Sequence, residues 1–198
     1  MPSTALLIID MQNDTVHPDG AFAETGAAAH AASQNVIGHA RSVLDAARTA
    51  GAPVFHTRIV VHPNPALGGV NAPIFRMLGP ESFKLGTWGA SIVDELTPTE
   101  GEVVLDRIRM NAFGGTSLDI MLRNLGVTHV LVTGAWTNMA VEHTVREAAD
   151  HGYEVTVVSD ATSSLSDEWQ HAAINYALTN IATITDTRDA TATLLGAS

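Results

Sequence analysis

The chain has 198 residues, 45% of them hydrophobic, which suits one globular domain with a full core and argues against long disordered segments. Its formal charge of −11 includes nine arginines and a single lysine, Lys84, and without a basic patch it argues against nucleic-acid binding. The absence of cysteine closes off disulfides, zinc–thiolate sites and thiol catalysis for the chain as it stands. No apolar run approaches the roughly 18–20 residues of a membrane span, and no basic-then-apolar leader opens the chain, so a cytoplasmic location is expected.

Residues 5–9 are apolar without interruption and end on Asp10. A run apolar on both faces suits a central parallel strand covered by helices on each side. Asp10 opens the motif DMQND, and an Asp at a strand end is either a turn-former or a functional carboxylate. Residues 32–50 read as an amphipathic helix with Val36, Ile37, Val43 and Leu44 inward, broken by Gly51 and Pro53. A second strand is expected over residues 53–58. The next stretch, residues 59–90, is long, rich in Gly and Pro and without period, as loops that line an active site usually are. It contains His62 followed by Pro63, with Val60 two residues before the His, and Trp88 in the segment GTWGA.

A third strand is expected over residues 103–106, followed by RIRMNAFGGTSLDIMLRNLGV, where Thr116 or Ser117 caps a helix running to Asn124. Residues 128–133 form a β-branched strand that stops at Gly134. The turn GAWTNMAVEHT follows, with Thr137 or Asn138 as N-cap of a helix carrying Val141, Thr144, Val145 and Ala148 on one face. Gly152 closes that helix, and residues 154–159 form the next strand. Ser166 caps a last long helix with Trp169, Ala173, Tyr176 and Ala177 on one side, and a short strand over 182–185 ends the alternation. Strand and helix alternate with neither repeat nor linker, so the expected fold is α/β: a single domain, residues 1–198, with a doubly wound parallel sheet and helices on both faces.

The motifs DMQND, RIRMNAFGGTSL and GAWTNMAVEHT together resemble those of the isochorismatase-like hydrolases, the superfamily that includes nicotinamidase, N-carbamoylsarcosine amidohydrolase and ureidoacrylate amidase. The resemblance spans residues 10–185 and implies six parallel strands with the site at their carboxyl ends. It implies an Asp–Lys–Cys triad in which Asp is the general base, and a turn whose backbone N–H groups stabilise an oxyanion. Laid on this chain, the Asp is Asp10, the Lys position falls on Arg107 and the Cys position on Ala140. Asp14 helps to hold the loop. The turn group is Trp136, Thr137, Met139 and Ala140, with a non-prolyl cis peptide near Trp136–Thr137. His62, Trp88, Phe113, Trp136 and His143 are placed as pocket walls. The metal-binding Asp of the nicotinamidases is Val60 here, so no metal and no other cofactor is expected.

Glu142 and Thr144 read as helix-packing residues, and Lys84 could replace the missing lysine only if its loop folded over the site. A small-molecule substrate, and oligomerisation as a homodimer or homotetramer, are implied by the resemblance alone. A methyl at the nucleophile position leaves three accounts. Ala140 stands in a Cys-dependent hydrolase of C–N bonds whose nucleophile has been replaced. Alternatively, the chain is a thiol-free hydrolase, cleaving a vinyl ether or activating water through Asp10 while Arg107 holds a substrate carboxylate. Finally, it retains the pocket only to bind a small molecule.

Overall fold

The computed structural model describes residues 3–62, 64–79 and 81–196; Pro63 lies outside them. Strands β1 (Ser3–Ile9), β2 (Val54–Ile59), β3 (Val103–Arg107), β4 (Val127–Ala135), β5 (Glu154–Ser163) and β6 (Thr183–Thr185) form one parallel sheet in the order β3-β2-β1-β4-β5-β6. The helices are α1 (Asn13–Val16), α2 (Ala27–Ser33), α3 (Val36–Ala50), α4 (Pro65–Gly68), α5 (Pro73–Arg76), α6 (Leu118–Asn124), α7 (Glu142–Asp150), α8 (Asp167–Ala172) and α9 (Thr187–Leu194). None of them is long and apolar enough to cross a membrane.

The central strand explains the two layers. Leu6 and Ile8 of β1 pack into a cluster with Val36, Val43 and Leu44 of α3 and Ala190 of α9. Their neighbours Ala5, Leu7 and Ile9 point to the opposite face, against Leu118 and Leu122 of α6 and Val145 and Ala148 of α7. Because side chains alternate along a strand, an unbroken apolar run feeds both layers at once. Each fully buried Leu or Ile contributes about 1.5–3 kcal/mol relative to exposure.

Strands β1 and β4 are neighbours, and the chain winds away from them in both directions, so their carboxyl ends mark the topological switch point. Gly134 matters to that junction. It pairs with Ile9 at φ +122°, and a Cβ there would collide with the Ile9 backbone. Only glycine combines that conformation with that approach.

Four expected elements differ. The helix expected over 32–50 is two helices, α2 and α3, separated at Asn35, which has φ +50°. Asn tolerates the left-handed conformation, so the break needs no Gly or Pro to announce it. Val36, Val43 and Leu44 are buried as expected, whereas Ile37 is only half-buried. The last long helix is the short α8 followed by a π-helical turn, Ala173–Ala177. In α8 it is Gln170, bonded to Thr137, Ser159 and Thr162, that faces inward with Ala173 and Ile174, which leaves Trp169 and Tyr176 52% and 71% exposed rather than packed beside Ala173. Finally, β4 and β5 run farther toward their carboxyl ends than expected, to Ala135 and Ser163.

Beneath the sheet, Arg48 of α3 grips Glu102 through Nε at 2.7 Å and Nη2 at 3.0 Å, and His56 of β2 meets the same carboxylate at 3.1 Å. Burial works to raise the Glu102 pKa, but Arg48, the Thr99 amide and His56 outweigh it and bring the carboxyl from 4.5 to about 2. A carboxyl depressed on folding adds stability that is complete above its unfolded value and is lost as pH falls through the folded one. Glu102→Gln is therefore expected to lower stability at neutral pH and to flatten the acid limb between pH 4.5 and about 2, read from urea midpoints across that range.

Candidate active site

The site begins where β1 ends. Asp10 has φ +49°, a left-handed conformation that Asp accepts more readily than most residues. The segment behind it is held by two buried polar side chains. Gln12 donates to the carbonyls of Ile59 (3.0 Å) and Ala90 (2.9 Å) and accepts the Ile59 amide (2.9 Å), joining β1, β2 and the end of the long loop. Asp14 accepts the amides of Ala21 (3.0 Å) and Phe83 (2.7 Å), and Gly89 lies so close to its carboxylate that a Cβ would collide with it. These contacts fold the aperiodic stretch over the sheet and satisfy backbone groups that no ladder reaches.

The second component is the turn after β4. Its cis peptide is Ala135–Trp136, one bond earlier than expected; no side chain in the run Ala-Trp-Thr marks which bond it is. Thr137–Val141 then forms a π-helical turn leading into α7. Neither Thr137 nor Asn138 is an N-cap, because both side chains reach across to other elements. Thr137 Oγ1 donates to Gln170 Oε1 of α8 at 2.5 Å, and Ser164 Oγ donates to Asn138 Oδ1. Gln170 also donates to Ser159 O at 3.1 Å and Thr162 Oγ1 at 3.0 Å, tying the turn to β5. On the other side Thr144 Oγ1 accepts the Ala112 amide at 3.1 Å. The Met139 amide donates to the Trp136 carbonyl at 3.0 Å, so it is committed within the turn.

Arg107 completes the group. From the end of β3 it donates through Nη2 to Asp10 Oδ2 at 2.8 Å and through Nη1 to the Arg109 carbonyl at 2.9 Å. Both partners are buried. Burial pushes the Asp10 carboxyl upward, and this outweighs the opposing charge and hydrogen bond of Arg107 and the nearby Ile59 amide, whose own hydrogen bond goes to Gln12 Oε1 at 2.9 Å. Among the described residues, Asp10 Oδ1, Arg107 Nε and Thr15 Oγ1 find no hydrogen-bond partner. Asp10 and Thr15 border a cavity of about 30 Å³ walled by Phe22, Phe83, Trp136 and Met139, with the Ala140 methyl on its edge. A space of roughly that size holds one water molecule. Ile74 and Leu78 of the long loop also close it.

The structure thus brings Asp10, Arg107, Trp136, Met139 and Ala140 together, with Thr137 one shell behind. Arg107 has its Nη groups occupied and does not line the cavity, so it is not presented to a substrate carboxylate. Four residues placed as pocket walls lie elsewhere. His62 is exposed and accepts the Asn64 amide. Trp88 is 52% exposed, edge-on to His17. Phe113 is buried against His151 and Tyr153 in the other layer. His143 is exposed and donates to the Met139 carbonyl at 2.8 Å. Lys84 points away, paired with Glu81 at 3.1 Å. Thr15, Gln170 and the apolar roof went unnoticed in the sequence. Only Thr15 carried a signal, its place directly after DMQND. Among the described residues, no cluster of three His, Asp or Glu side chains is arranged to hold a metal ion.

The isochorismatase domain model matches residues 4–189. The chain is 35% identical over 162 residues to the isochorismatase family protein YddQ of Bacillus subtilis, covering 82% of this chain and 78% of that protein. The chain belongs to the isochorismatase family. Within the family it is 33% identical to the ureidoacrylate amidohydrolase RutB of Methylobacterium radiotolerans, over 91% of this chain and 74% of that one. Its fold is also that of an isochorismatase family protein from Desulfovibrio vulgaris, with a TM-score of 0.83 and 30% identity over 95% of this chain and 96% of that one. The six-stranded parallel sheet flanked by helices is the architecture the family resemblance implies.

Removing one partner of a buried ion pair leaves an uncompensated charge. Arg107→Met is expected to lower unfolding free energy by about 3–5 kcal/mol at neutral pH. The loss should shrink in an Asp10→Asn background, as a double-mutant cycle of urea midpoints would read.

Proposed function

We propose that this isochorismatase-family chain is a hydrolase of a small carbonyl compound of the amide or ureide type, working through Asp10 and water without a covalent enzyme intermediate. One observation carries the reading: a buried carboxyl with a free oxygen borders a water-sized cavity whose nucleophile position, Ala140, is a methyl 2% exposed. The bond class is supported by the likeness to a ureidoacrylate amidohydrolase.

In this scheme a water in the cavity attacks the substrate carbonyl carbon while its proton passes to Asp10. The C–N bond breaks as that proton is delivered to the departing nitrogen, giving an acid and an amine. A carboxyl raised toward the working pH both accepts and donates efficiently. Arg107 holds the carboxyl in orientation and stabilises its ionised form. Backbone N–H groups of the 136–140 turn, other than that of Met139, face the developing oxyanion.

A second reading, protonation of a vinyl ether by Asp10, is favoured by the upward displacement of the Asp10 carboxyl. It requires no nucleophile, and the choice of substrate separates it from the first.

The deciding experiment compares turnover of the unaltered chain, Asp10→Asn and Ala140→Cys on a panel of amides, ureides and isochorismate. The unaltered chain should hydrolyse an amide or ureide, and Asp10→Asn should lower that rate by about 10²–10⁴-fold. Activity confined to Ala140→Cys, with an acyl adduct detectable by mass, would replace this scheme with that of a silenced cysteine hydrolase. Activity on isochorismate alone would favour vinyl-ether cleavage.

A further inference from the structure

Behind the 136–140 turn lies a buried polar cluster that the proposed chemistry leaves unused. His30 of α2 is 6% exposed, and Ser163 at the end of β5 and Ser164 after it are fully buried. Ser163 Oγ lies 2.8 Å from His30 Nδ1, and the Ser164 amide donates to the same nitrogen at 3.3 Å. On the far side of the ring, Nε2 lies 3.3 Å from Asp167 Oδ1 and 3.0 Å from the Gln34 amide. Hydroxyl, imidazole and carboxylate stand in the order of a nucleophilic set. Ser163 neither borders the Asp10 cavity nor reaches solvent, however, so it meets no substrate.

The cluster does reach the turn. Ser163 pairs with Ala135, the residue before Trp136, and Ser164 Oγ donates to Asn138 Oδ1. A backbone N–H only donates, so the Ser164 amide fixes Nδ1 as an unprotonated acceptor. The neutral ring then carries its proton on Nε2, where Asp167 accepts it, with the Gln34 amide turned oxygen-first to the ring. A second proton, on Nδ1, would be set against the Ser164 N–H. The Ser163 hydroxyl can turn round and accept it; the buried amide cannot, and loses its partner.

The surrounding charges leave the ring to Asp167. Asp14 of α1 is committed to the Ala21 and Phe83 amides, His39 of α3 to Asp160 of β5, and Arg41 to Asp45. Burial holds the His30 ring below the ordinary imidazole range, against Asp167, which works to raise it.

We propose that His30 is a positioning residue for the 136–140 turn: its neutral ring, an acceptor at Nδ1, holds Ser163 and Ser164 and through Ser164 fixes Asn138, and a second proton on the ring releases them. The consequence for catalysis rests on the function proposed above; the positioning itself does not.

The test is NMR of the isotope-labelled full chain, followed from about pH 8 to about pH 5. At neutral pH the His30 ring should carry hydrogen on Nε2 alone. As pH falls, the Ser164 and Asn138 amides should shift with the midpoint of the ring. Asp10 and His143 also border the turn without touching His30, so two variants separate their titrations from that of the ring. Asp167→Asn, at an exposed side chain, should move the ring and turn midpoints downward together, because the carboxylate that favours the charged ring is gone. His30→Asn, with an acceptor oxygen near the place of Nδ1 and no charge at any pH, should keep the turn amides near their neutral-pH positions throughout. The Asp167→Asn comparison decides the matter even if His30→Asn does not fold.

Hydrogen on Nδ1 at neutral pH overturns the acceptor role. Turn amides that stay still while the ring titrates, or that keep their midpoint in Asp167→Asn, overturn the link to the turn. A ring that stays neutral until the chain unfolds overturns the release. None of these readings needs turnover, so failure of the hydrolysis proposed above shows separately, as absent product.

Discussion

The site depends on one buried ion pair. Asp10 ends β1 and Arg107 ends β3, with β2 between them, so the guanidinium crosses a strand to reach the carboxylate. Placing both charges out of water costs several kcal/mol per ion before their attraction is counted. Arg suits this arrangement better than Lys would. It remains charged and its planar fork addresses two acceptors at once, here the Asp10 carboxylate and the Arg109 carbonyl. The consequence is chemical: the cation that a substrate anion would seek is already engaged, and the carboxyl that remains has one oxygen to offer.

Around that pair, the protein uses buried polar side chains as fasteners. Gln12, Asp14 and Gln170 each bond two or more groups on separate segments. Fully satisfied buried networks of this kind hold a loop in one arrangement, where apolar packing alone would allow several. The aperiodic 59–90 stretch is thereby pressed onto the sheet, and the turn carrying Ala140 is tied to β5 and α8. The parallel sheet supplies the location, since the crevice at the switch point between β1 and β4 is where both segments emerge.

Much of this was legible in the sequence because periodicity and breakers report local preference. The apolar run of β1, the Gly-terminated strand before the turn and the strand–helix alternation led to the parallel sheet. The three motifs led to Asp10, Arg107 and Ala140. The break at Asn35 was hidden because an Asn in left-handed conformation leaves the apolar period undisturbed. The inward face of α8 was hidden because a polar residue, Gln170, occupies it, and an apolar period does not report a buried amide.

By itself the sequence determined the absence of a thiol, the acidic balance, the alternation that makes an α/β fold, and which carboxylate follows the central strand. Tertiary structure alone decided what fills the cavity wall. Trp88, His62 and His143 are polar or aromatic residues in plausible loops, yet their side chains lie outside the cavity, while Thr15, Phe22, Phe83 and Ile74 converge on it from segments far apart in the chain. Local propensity carries no information about such convergence. It arises when backbone groups that the sheet leaves unpaired find buried partners such as Gln12 and Asp14, and that pairing exists only once the chain has folded.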